Sequence, residues 1–455
     1  MSPIIGGPTQ AEHTMSPTRG DAAITPLHAL IADAPMSRAQ VLAVLLLAAI
    51  SALDGFDVLA VTFAAPGFVP AFGIDKALLG WVLSMGLIGM GLGSLLIAPL
   101  ADVFGRRRLL LAGLGLMAVG MFLSAAAHGV AAMMIWRLLT GLGIGSMVAV
   151  IVPLTAEYAN TRRRELCIGV MLVGYPLGGT VGGSVAALLL HAFGWRSVFV
   201  LGGIAALVLV LLTVLWLPES ISFLLNRRAD GALARINRVL ASFGRSPVSA
   251  LPEPPQTTLS TPVVALFAGG MRRRTLHLTL INFLFIIAVY YFLSWLPAMV
   301  VGAGYTAPTA VGVAVLANLA GVVGGLLLGW AAPTLGLRTV SVIALFGTGL
   351  GIALFGSAGA NLALLRLTAA FTGFFMIAGI VGVYAIIARS FPAQVRASGA
   401  GFVIGIGRGG SALAPIIAGL LFAAGMGNAS VSWMLGAGAI LASVALLAYR
   451  MPDPT

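Results

Sequence analysis

Charged residues are scarce in this sequence. Of its 455 residues only 8% are Asp, Glu, Lys or Arg, whereas 60% are hydrophobic, and a soluble domain carries charge at about a quarter of its positions. So few polar side chains could not cover a water-soluble fold of this length, which means that lipid must be the solvent for most of the surface. The chain is therefore predicted to be an integral membrane protein, and its 59 glycines suit the close helix contacts of a bilayer.

Cysteine is nearly absent as well. The one cysteine, Cys167, excludes an internal disulfide and leaves a cysteine-rich metal site without ligands. The glycine-rich stretches 89–93 and 141–145 lie inside apolar runs with no preceding strand, so they indicate helix packing and not a nucleotide loop. No Walker-type sequence is present, which disfavours ATP-driven transport, and neither a metal nor a cofactor is expected. The net charge of +12 does not point to nucleic acid, because the basic residues sit in short loops between apolar runs.

Long apolar runs fill most of the chain, and a helix needs about 20 such residues to cross a bilayer. Two groups of six runs fall at 40–65, 77–101, 109–127, 131–155, 166–192 and 196–217, and at 275–302, 308–332, 339–357, 361–388, 397–424 and 429–449. The predicted fold class is all-α, with twelve transmembrane helices in two six-helix bundles. Its predicted parts are a cytoplasmic tail (1–38, without a signal-peptide core), a first bundle (39–217), a cytoplasmic linker (218–274), a second bundle (275–450) and a cytoplasmic C-terminus (451–455).

Basic residues lie almost entirely on one side of this arrangement. With both termini inside, the outer loops receive only Lys76 and Arg196, and most of the 25 Lys and Arg residues fall in cytoplasmic loops. The two halves also resemble each other, since the segments 157–169 and 390–402 align with a constant offset that places Arg163 opposite Arg396. Two parallel halves with a binding site between them are typical of rocking-bundle secondary transporters.

Ionisable side chains inside the apolar runs are costly and are typical of functional sites. Asp54 and Asp57 stand three residues apart, so they lie about one turn apart along one helix. Two neighbouring carboxylates in a low dielectric resist ionising together, so one of them is expected to hold a proton that comes and goes. Arg137 in the fourth run lies within about 5 Å of the depth of Asp57, counted from the predicted helix ends, and is expected to pair with it. The alternative, that these charges only join helices to one another, stays open.

Two further arginines lie in apolar runs of the second half. Arg408 falls near the middle of the eleventh run with no acid in the second half's runs to neutralise it, so it is predicted to bind an anion such as a carboxylate. Arg366 is placed within the tenth run, with a structural or gating role and substrate contact as open alternatives. Glu157, at the cytoplasmic edge of the fourth run, is added to the predicted proton-coupling group.

Polar and aromatic residues of the second half are candidates to line a cavity. Asn282 and Asn318 are polar residues within apolar runs, and Tyr291 and Phe375 come from aromatic clusters in the seventh and tenth runs. Tyrosines and tryptophans of the seventh run could instead form an interfacial belt.

Several motifs resemble those of a known family. The segment Pro99-Leu-Ala-Asp102-Val-Phe-Gly105-Arg106-Arg107-Arg108 is similar to the loop motif of the major facilitator superfamily, and departs from it at Ala98 and Val103. The resemblance implies that Asp102, Gly105, Arg106 and Arg107 form a gating loop.

One branch is favoured by five shorter motifs, which resemble those of the aromatic acid:proton symporters. They are Asp54-Gly-Phe-Asp57, Arg137-Leu-Leu-Thr-Gly-Leu-Gly-Ile-Gly145, Phe193-Gly-Trp-Arg-Ser-Val-Phe199 with Leu217-Pro-Glu-Ser220, and Gly405-Ile-Gly-Arg408-Gly-Gly410. The resemblance implies a monomer in the bacterial inner membrane that imports a hydroxybenzoate-like carboxylate with protons by alternating access. A proton-coupled exporter of drugs or metabolites, another organic-anion or sugar porter, and a non-transporting sensor are the rivals. A membrane enzyme is disfavoured, since no nucleophile–base pair is visible.

Overall fold

The computed structural model describes residues 34–227, 231–251, 266–267, 271–392 and 395–449. Within these ranges twelve helices are long and apolar enough to cross a membrane, which confirms the predicted number. They are α1 (Arg38–Phe72), α2 (Lys76–Phe104), α3 (Arg106–Ala125), α4 (Val130–Tyr158), α5 (Arg164–Phe193), α6 (Arg196–Trp216), α7 (Met271–Gly302), α8 (Ala307–Leu335), α9 (Leu337–Ser357), α10 (Leu362–Ser390), α11 (Arg396–Ala423) and α12 (Asn428–Ala448). Most of the predicted tail (1–38) and all of the predicted C-terminus (451–455) lie outside the described residues.

Local sequence signals set the ends of several helices. Ser37 and Gln40 form a reciprocal capping box at the start of α1, and Gly73 ends the helix in the left-handed conformation. Asp75 then caps α2 by accepting a hydrogen bond from the backbone N–H of Leu78. The three-residue break between these long helices is therefore encoded by the capping residues within it and beside it.

Helix contacts repeat between the two halves. In the first half (α1–α6) the packed pairs are α1 with α5, α2 with α4, α3 with α4, and α3 with α6. In the second half (α7–α12) the corresponding pairs α7 with α11, α8 with α10, α9 with α10, and α9 with α12 are packed. The predicted likeness of the halves is thus present in their packing.

The halves meet along α2 and α11 and along α5 and α8. A Cβ at Gly80 would lie 2.5 Å from the carbonyl oxygen of Pro415, and one at Gly183 would lie 2.9 Å from a side-chain carbon of Val315. Both contacts lie toward the end of the molecule opposite the arginine-rich loops. We call the end with those loops the basic side, and the other end the opposite side.

The chain after α6 packs onto the basic side of the first half. Two short helices, Ile221–Arg227 and Ala232–Ser242, follow α6. The ring of Phe243 packs edge-on against Tyr158 at the end of α4, with ring centroids 5.6 Å apart. Residues 252–265 and 268–270 of the predicted linker lie outside the described residues, and α7 begins at Met271, within the predicted linker range.

Candidate functional site

Asp57 and Arg137 form the ion pair expected between α1 and α4. The guanidinium donates to both carboxylate oxygens, with Nη1 2.8 Å from Oδ1 and Nη2 2.8 Å from Oδ2, and Nη2 also donates to the Asp57 carbonyl at 3.1 Å. Both side chains are fully buried. Such a planar two-point contact is the strongest geometry available to an arginine and a carboxylate.

The pair is enclosed by the first half. The Arg137 guanidinium lies 5.9 Å from the ring centre of Phe199 on α6 and 3.8 Å from the sulfur of Met121 on α3. A Cβ at Gly86 on α2 would lie 3.2 Å from Nη2, so glycine there makes room for the guanidinium. Its Nε has no partner among the described residues. The pair is therefore removed from solvent, and its role in proton coupling stays a prediction.

The depth argument that predicted this pair used an incorrect helix end. α1 does not stop near residue 65 but continues to Phe72, through Pro66 and Pro70. Counted from its true end, Asp57 lies more than a turn deeper than the sequence indicated. The pair still forms, because Asp57 and Arg137 meet where α1 and α4 pack against each other.

A cavity of about 570 Å³ lies between the two halves. Its walls come from α1, α2, α4 and α5 of the first half and from α7, α8, α10 and α11 of the second. Residues such as Ile151, Leu172 and Ile380 place it on the basic side of the contacts between the halves, and Leu172 is exposed. The cavity wall is mostly aliphatic.

Asp54 and Arg408 face this cavity from opposite halves. Asp54 is 6% exposed, and its Oδ1 has no hydrogen-bond partner in the part of the chain that the structure describes. Arg408 is half-buried and makes no salt bridge with a described residue, but its charge acts on Asp54 across the cavity. The two aspartates of α1 therefore have different partners: Asp57 is bound to an arginine within its own half, while Asp54 faces one in the other half.

Three tyrosines share this cavity with Arg408. They are Tyr175 on α5, Tyr290 on α7 and Tyr384 on α10. Sequence reasoning missed Tyr175 and Tyr384. The available signal was the Gly-Tyr-Pro sequence at 174–176, a polar aromatic side chain beside a proline inside an apolar run.

Tyr291 of α7, which was predicted to line the cavity, does not border it. Tyr291 is 1% exposed and its hydroxyl lies 2.7 Å from the Ser432 hydroxyl on α12, away from the cavity. Trp295 is also buried and donates to the carbonyl of Pro415 at 3.2 Å, so neither residue belongs to an interfacial belt. Tyr290, one position earlier, faces the cavity instead.

The other predicted lining residues lie between helices. Asn282 is fully buried and donates to the Val403 carbonyl at 3.0 Å, which places it against α11 about one turn from Arg408. Asn318 donates to the Ala314 carbonyl within its own helix and packs near α5. Phe375 packs against Phe374 and against α9. None of these three side chains borders the cavity.

The mid-helix position predicted for Arg366 is wrong. α10 begins at Leu362, so Arg366 lies near its first turn on the opposite side of the molecule, where it is exposed. The predicted run began at 361, next to the true start of the helix, so the error lay in treating the fifth residue of the helix as mid-helix. Its side chain does not border the cavity that Arg408 faces.

Glu157 joins the predicted gating loop (99–108) to the segment that follows α6. Its carboxylate accepts a hydrogen bond from Arg106 Nη1 at 3.0 Å, from the Ser220 hydroxyl at 2.8 Å, and from the backbone N–H of Ser222 at 2.7 Å. Glu157 is therefore a half-buried anchor on the basic side, and it does not border the cavity that Asp54 and Arg408 line.

Gly105 is required by the turn of the same loop. Its φ of 106° is a conformation that side-chain-bearing residues avoid, and a Cβ there would lie 2.6 Å from Glu219 Oε2. The backbone N–H of Arg107, two residues later, donates to Glu219 Oε1 at 2.9 Å. Asp102 is exposed, and no ion pair to it is present among the described residues.

Comparison with known proteins agrees with this architecture. The model of the Major Facilitator Superfamily matches residues 45–336. Among curated relatives, a gallate transporter of Pseudomonas putida is 32% identical over 92% of this chain and 93% of its own. The 4-hydroxybenzoate transporter PcaK of Pseudomonas aeruginosa is 33% identical over 92% of this chain and 95% of its own.

Solved structures show the same fold at lower sequence identity. The xylose transporter XylE from E. coli superposes with a TM-score of 0.67 at 17% identity, covering 91% of this chain and 100% of that one. The nucleoside transporter NupG gives a TM-score of 0.69 at 14% identity, covering 90% and 99%. The chain therefore belongs to the major facilitator superfamily and, within it, to the family of the gallate and 4-hydroxybenzoate transporters.

Proposed function

We propose that this protein imports an aromatic carboxylate of the hydroxybenzoate type together with protons. One observation carries the proposal: an acid of the first half, Asp54, and a base of the second half, Arg408, face one cavity without a close ion pair to any described residue. In such a site the acid can take up a proton and the base can bind an anion, so both events change the attraction between the halves. The names of the relatives, gallate and 4-hydroxybenzoate transporters, support the substrate class.

Arg408 is the proposed anchor of the substrate carboxylate. A guanidinium offers a planar pair of N–H donors that matches the two oxygens of a carboxylate. Asn282 stabilises the position of Arg408, because its amide donates a hydrogen bond to the carbonyl of Val403 in the part of α11 that precedes Arg408. The aliphatic wall residues, among them Leu87, Ile286 and Ile377, supply a low-polarity surface for a ring.

The tyrosines favour a ring that carries hydroxyl groups. Tyr175, Tyr290 and Tyr384 place three phenolic hydroxyls around the space beside Arg408, and each hydroxyl can both donate and accept a hydrogen bond. A hydroxylated ring satisfies these groups, whereas an unsubstituted ring leaves them without partners in a partly dry cavity.

Asp54 is the proposed site that couples proton and substrate. With Asp54 ionised, its charge competes with a substrate carboxylate for the positive charge of Arg408. A proton on Asp54 removes this competition, so substrate binds better after the proton has bound. The buried Asp57–Arg137 pair lies one turn away on α1 and is proposed to respond to the change of charge at Asp54 by shifting α1 against α4.

The direction of the cavity follows from the charge of the loops. We infer that the basic side faces the cytoplasm, with both termini there, because membrane proteins keep Lys and Arg in cytoplasmic loops. In this orientation the cavity lies on the inner side of the contacts between the halves, so the structure corresponds to an inward-facing state. Rocking of the halves about α2–α11 and α5–α8 would open the other side.

Uptake of labelled aromatic acids tests the proposal. Proteoliposomes with an imposed inward proton gradient are expected to accumulate 4-hydroxybenzoate or gallate, and a protonophore should abolish the accumulation. Arg408→Gln should weaken binding by roughly 10–100-fold, since it removes charge-assisted hydrogen bonds. Arg366→Gln is the matched control on an exposed arginine of the same half. Substrate movement opposite to the proton flow would instead identify an exporter, and accumulation that resists the protonophore would refute symport.

A further inference from the structure

A second cavity, of about 550 Å³, lies on the basic side and belongs to the first half and the chain that follows it. Five arginines line this arginine pocket: Arg107, Arg108, Arg227, Arg235 and Arg238. They come from the start of α3 and from the two short helices after α6. The transport mechanism proposed above uses none of the arginines of those short helices.

The positive charge of the arginine pocket is not neutralised by neighbouring acids. Glu219 is the single acid in its wall, and its carboxylate already accepts two backbone N–H bonds, from Arg107 and Ser220. Across the described ranges no carboxylate lies within 4.0 Å of any of the five guanidiniums. Arg107 Nε is buried and has no partner there. Five guanidiniums with one acid leave a local excess of positive charge that favours an anion with several oxygens.

The floor and rim of the arginine pocket are apolar and continue onto the membrane-facing surface. Val103 and Phe104 at the end of α2, and Leu215 and Trp216 at the end of α6, line the pocket and are exposed. Leu211, one turn earlier on α6, is exposed as well and extends this apolar surface along the helix. An exposed tryptophan at a helix end is typical of the interface between lipid headgroups and hydrocarbon.

We propose that the arginine pocket binds the phosphodiester headgroup of an anionic phospholipid. The guanidiniums of the pocket hold the phosphate, and the acyl chains lie against the exposed side chains of α2 and α6. A soluble anion would use the arginines but would leave this apolar rim without a partner. Every lining residue belongs to the first half or to the chain directly after it, so the lipid stays bound while the halves rock and acts as a stabilising ligand throughout the cycle.

Removal of two arginines tests this site without disturbing the fold. Arg235 and Arg238 are exposed and make no hydrogen bond to a described residue, whereas Arg107 and Arg227 hold backbone carbonyls of Val214 and Val103. The variant R235Q/R238Q therefore changes charge with little change in packing. R162Q/R164Q is the matched control, since it removes two exposed arginines from the same side outside the pocket.

Binding is measured on the full-length, delipidated protein by native mass spectrometry during titration with palmitoyl-oleoyl phosphatidylglycerol. The wild type and R162Q/R164Q are expected to retain one lipid tightly, and R235Q/R238Q is expected to bind it roughly thirtyfold more weakly, from the contribution that each arginine makes near an anionic lipid. Thermal stabilisation by the lipid should fall in parallel. Phosphatidylcholine with the same chains should not substitute.

Three outcomes would overturn the proposal. Equal lipid affinity of R235Q/R238Q and wild type would show that the pocket does not hold the headgroup. An equal loss in R162Q/R164Q would show attraction by general surface charge. Stabilisation by inorganic phosphate alone, equal to that by phosphatidylglycerol, would show a site for soluble anions.

Discussion

The Asp57–Arg137 pair gives the sharpest test of the proposed coupling. Its two 2.8 Å contacts lie in a site where Asp57 is 0% and Arg137 is 1% exposed. Asp57→Asn leaves a buried guanidinium without a counter-charge, and Arg137→Gln leaves a buried carboxylate. Each single change is expected to lower the free energy of unfolding by about 3–5 kcal/mol, because an unpaired charge in a dry site is more costly than the pair.

The double variant Asp57→Asn/Arg137→Gln removes both charges and should recover most of that loss. Each single change costs about 3–5 kcal/mol, whereas the double variant should cost only about 1–2 kcal/mol, so we expect an interaction energy of at least about 4 kcal/mol from the double-mutant cycle, measured by reversible unfolding in mixed detergent micelles. Glu165→Gln, an exposed acid at the start of α5, is the control and should change stability by no more than about 0.5 kcal/mol.

Transport measurements on the same variants separate stability from coupling. The double variant is expected to fold and to exchange substrate down its gradient, but to lose accumulation driven by an imposed proton gradient. An interaction energy below about 0.5 kcal/mol would refute the strength assigned to the pair. Undiminished uphill accumulation by Asp57→Asn would remove Asp57 from the mechanism.

Three further predictions follow from single positions. Gly178→Ala should prevent folding, since its Cβ would lie 1.7 Å from a backbone oxygen of α1, whereas Gly115→Ala has open space and should leave the yield of folded protein in size-exclusion chromatography unchanged. Gly105→Ala should destabilise the loop at 99–108 by about 1–2 kcal/mol in free energy, seen as faster amide exchange at 219–222, because φ at Gly105 is 106°; unchanged exchange would contradict this. Tyr290→Phe should weaken binding of hydroxylated substrates by about three- to tenfold in calorimetric titrations. Tyr291→Phe, which lies away from the cavity, should change stability but not affinity, and the reverse pattern would refute the assignment.

Much of the architecture was predictable from the sequence because the bilayer imposes it. A helix must satisfy its own backbone hydrogen bonds in lipid and must be about 20 residues long, so apolar runs indicate the twelve helices directly. The loop motif at 99–108 and the charged residues inside the apolar runs likewise indicated the family. Charged residues are rare in membrane spans, so those that occur there point to function. Helix ends were less predictable. A proline usually ends or kinks a helix, but α1 continues through Pro66 and Pro70 to Phe72.

Tertiary packing alone decided which side chains share a site. Helices such as α1 and α7 are apolar around most of their circumference, so the sequence carries no signal for which face meets the cavity. For this reason the neighbours Tyr290 and Tyr291 could not be told apart, and the lining role of Tyr175 and Tyr384 was missed.

Tertiary packing also explains why the two aspartates of α1 have different surroundings. Sequence spacing placed Asp54 and Asp57 one turn apart on one helix, and their chemistry marked both as functional. Their separate surroundings arise because α4 packs beside α1 at Asp57, whereas α11 of the other half faces α1 across the cavity at Asp54. The sequence thus determined the fold, the family and the charged residues to examine. Packing within the first half decided that Asp57 pairs with Arg137, and packing between the halves decided that Asp54 faces Arg408 across the cavity.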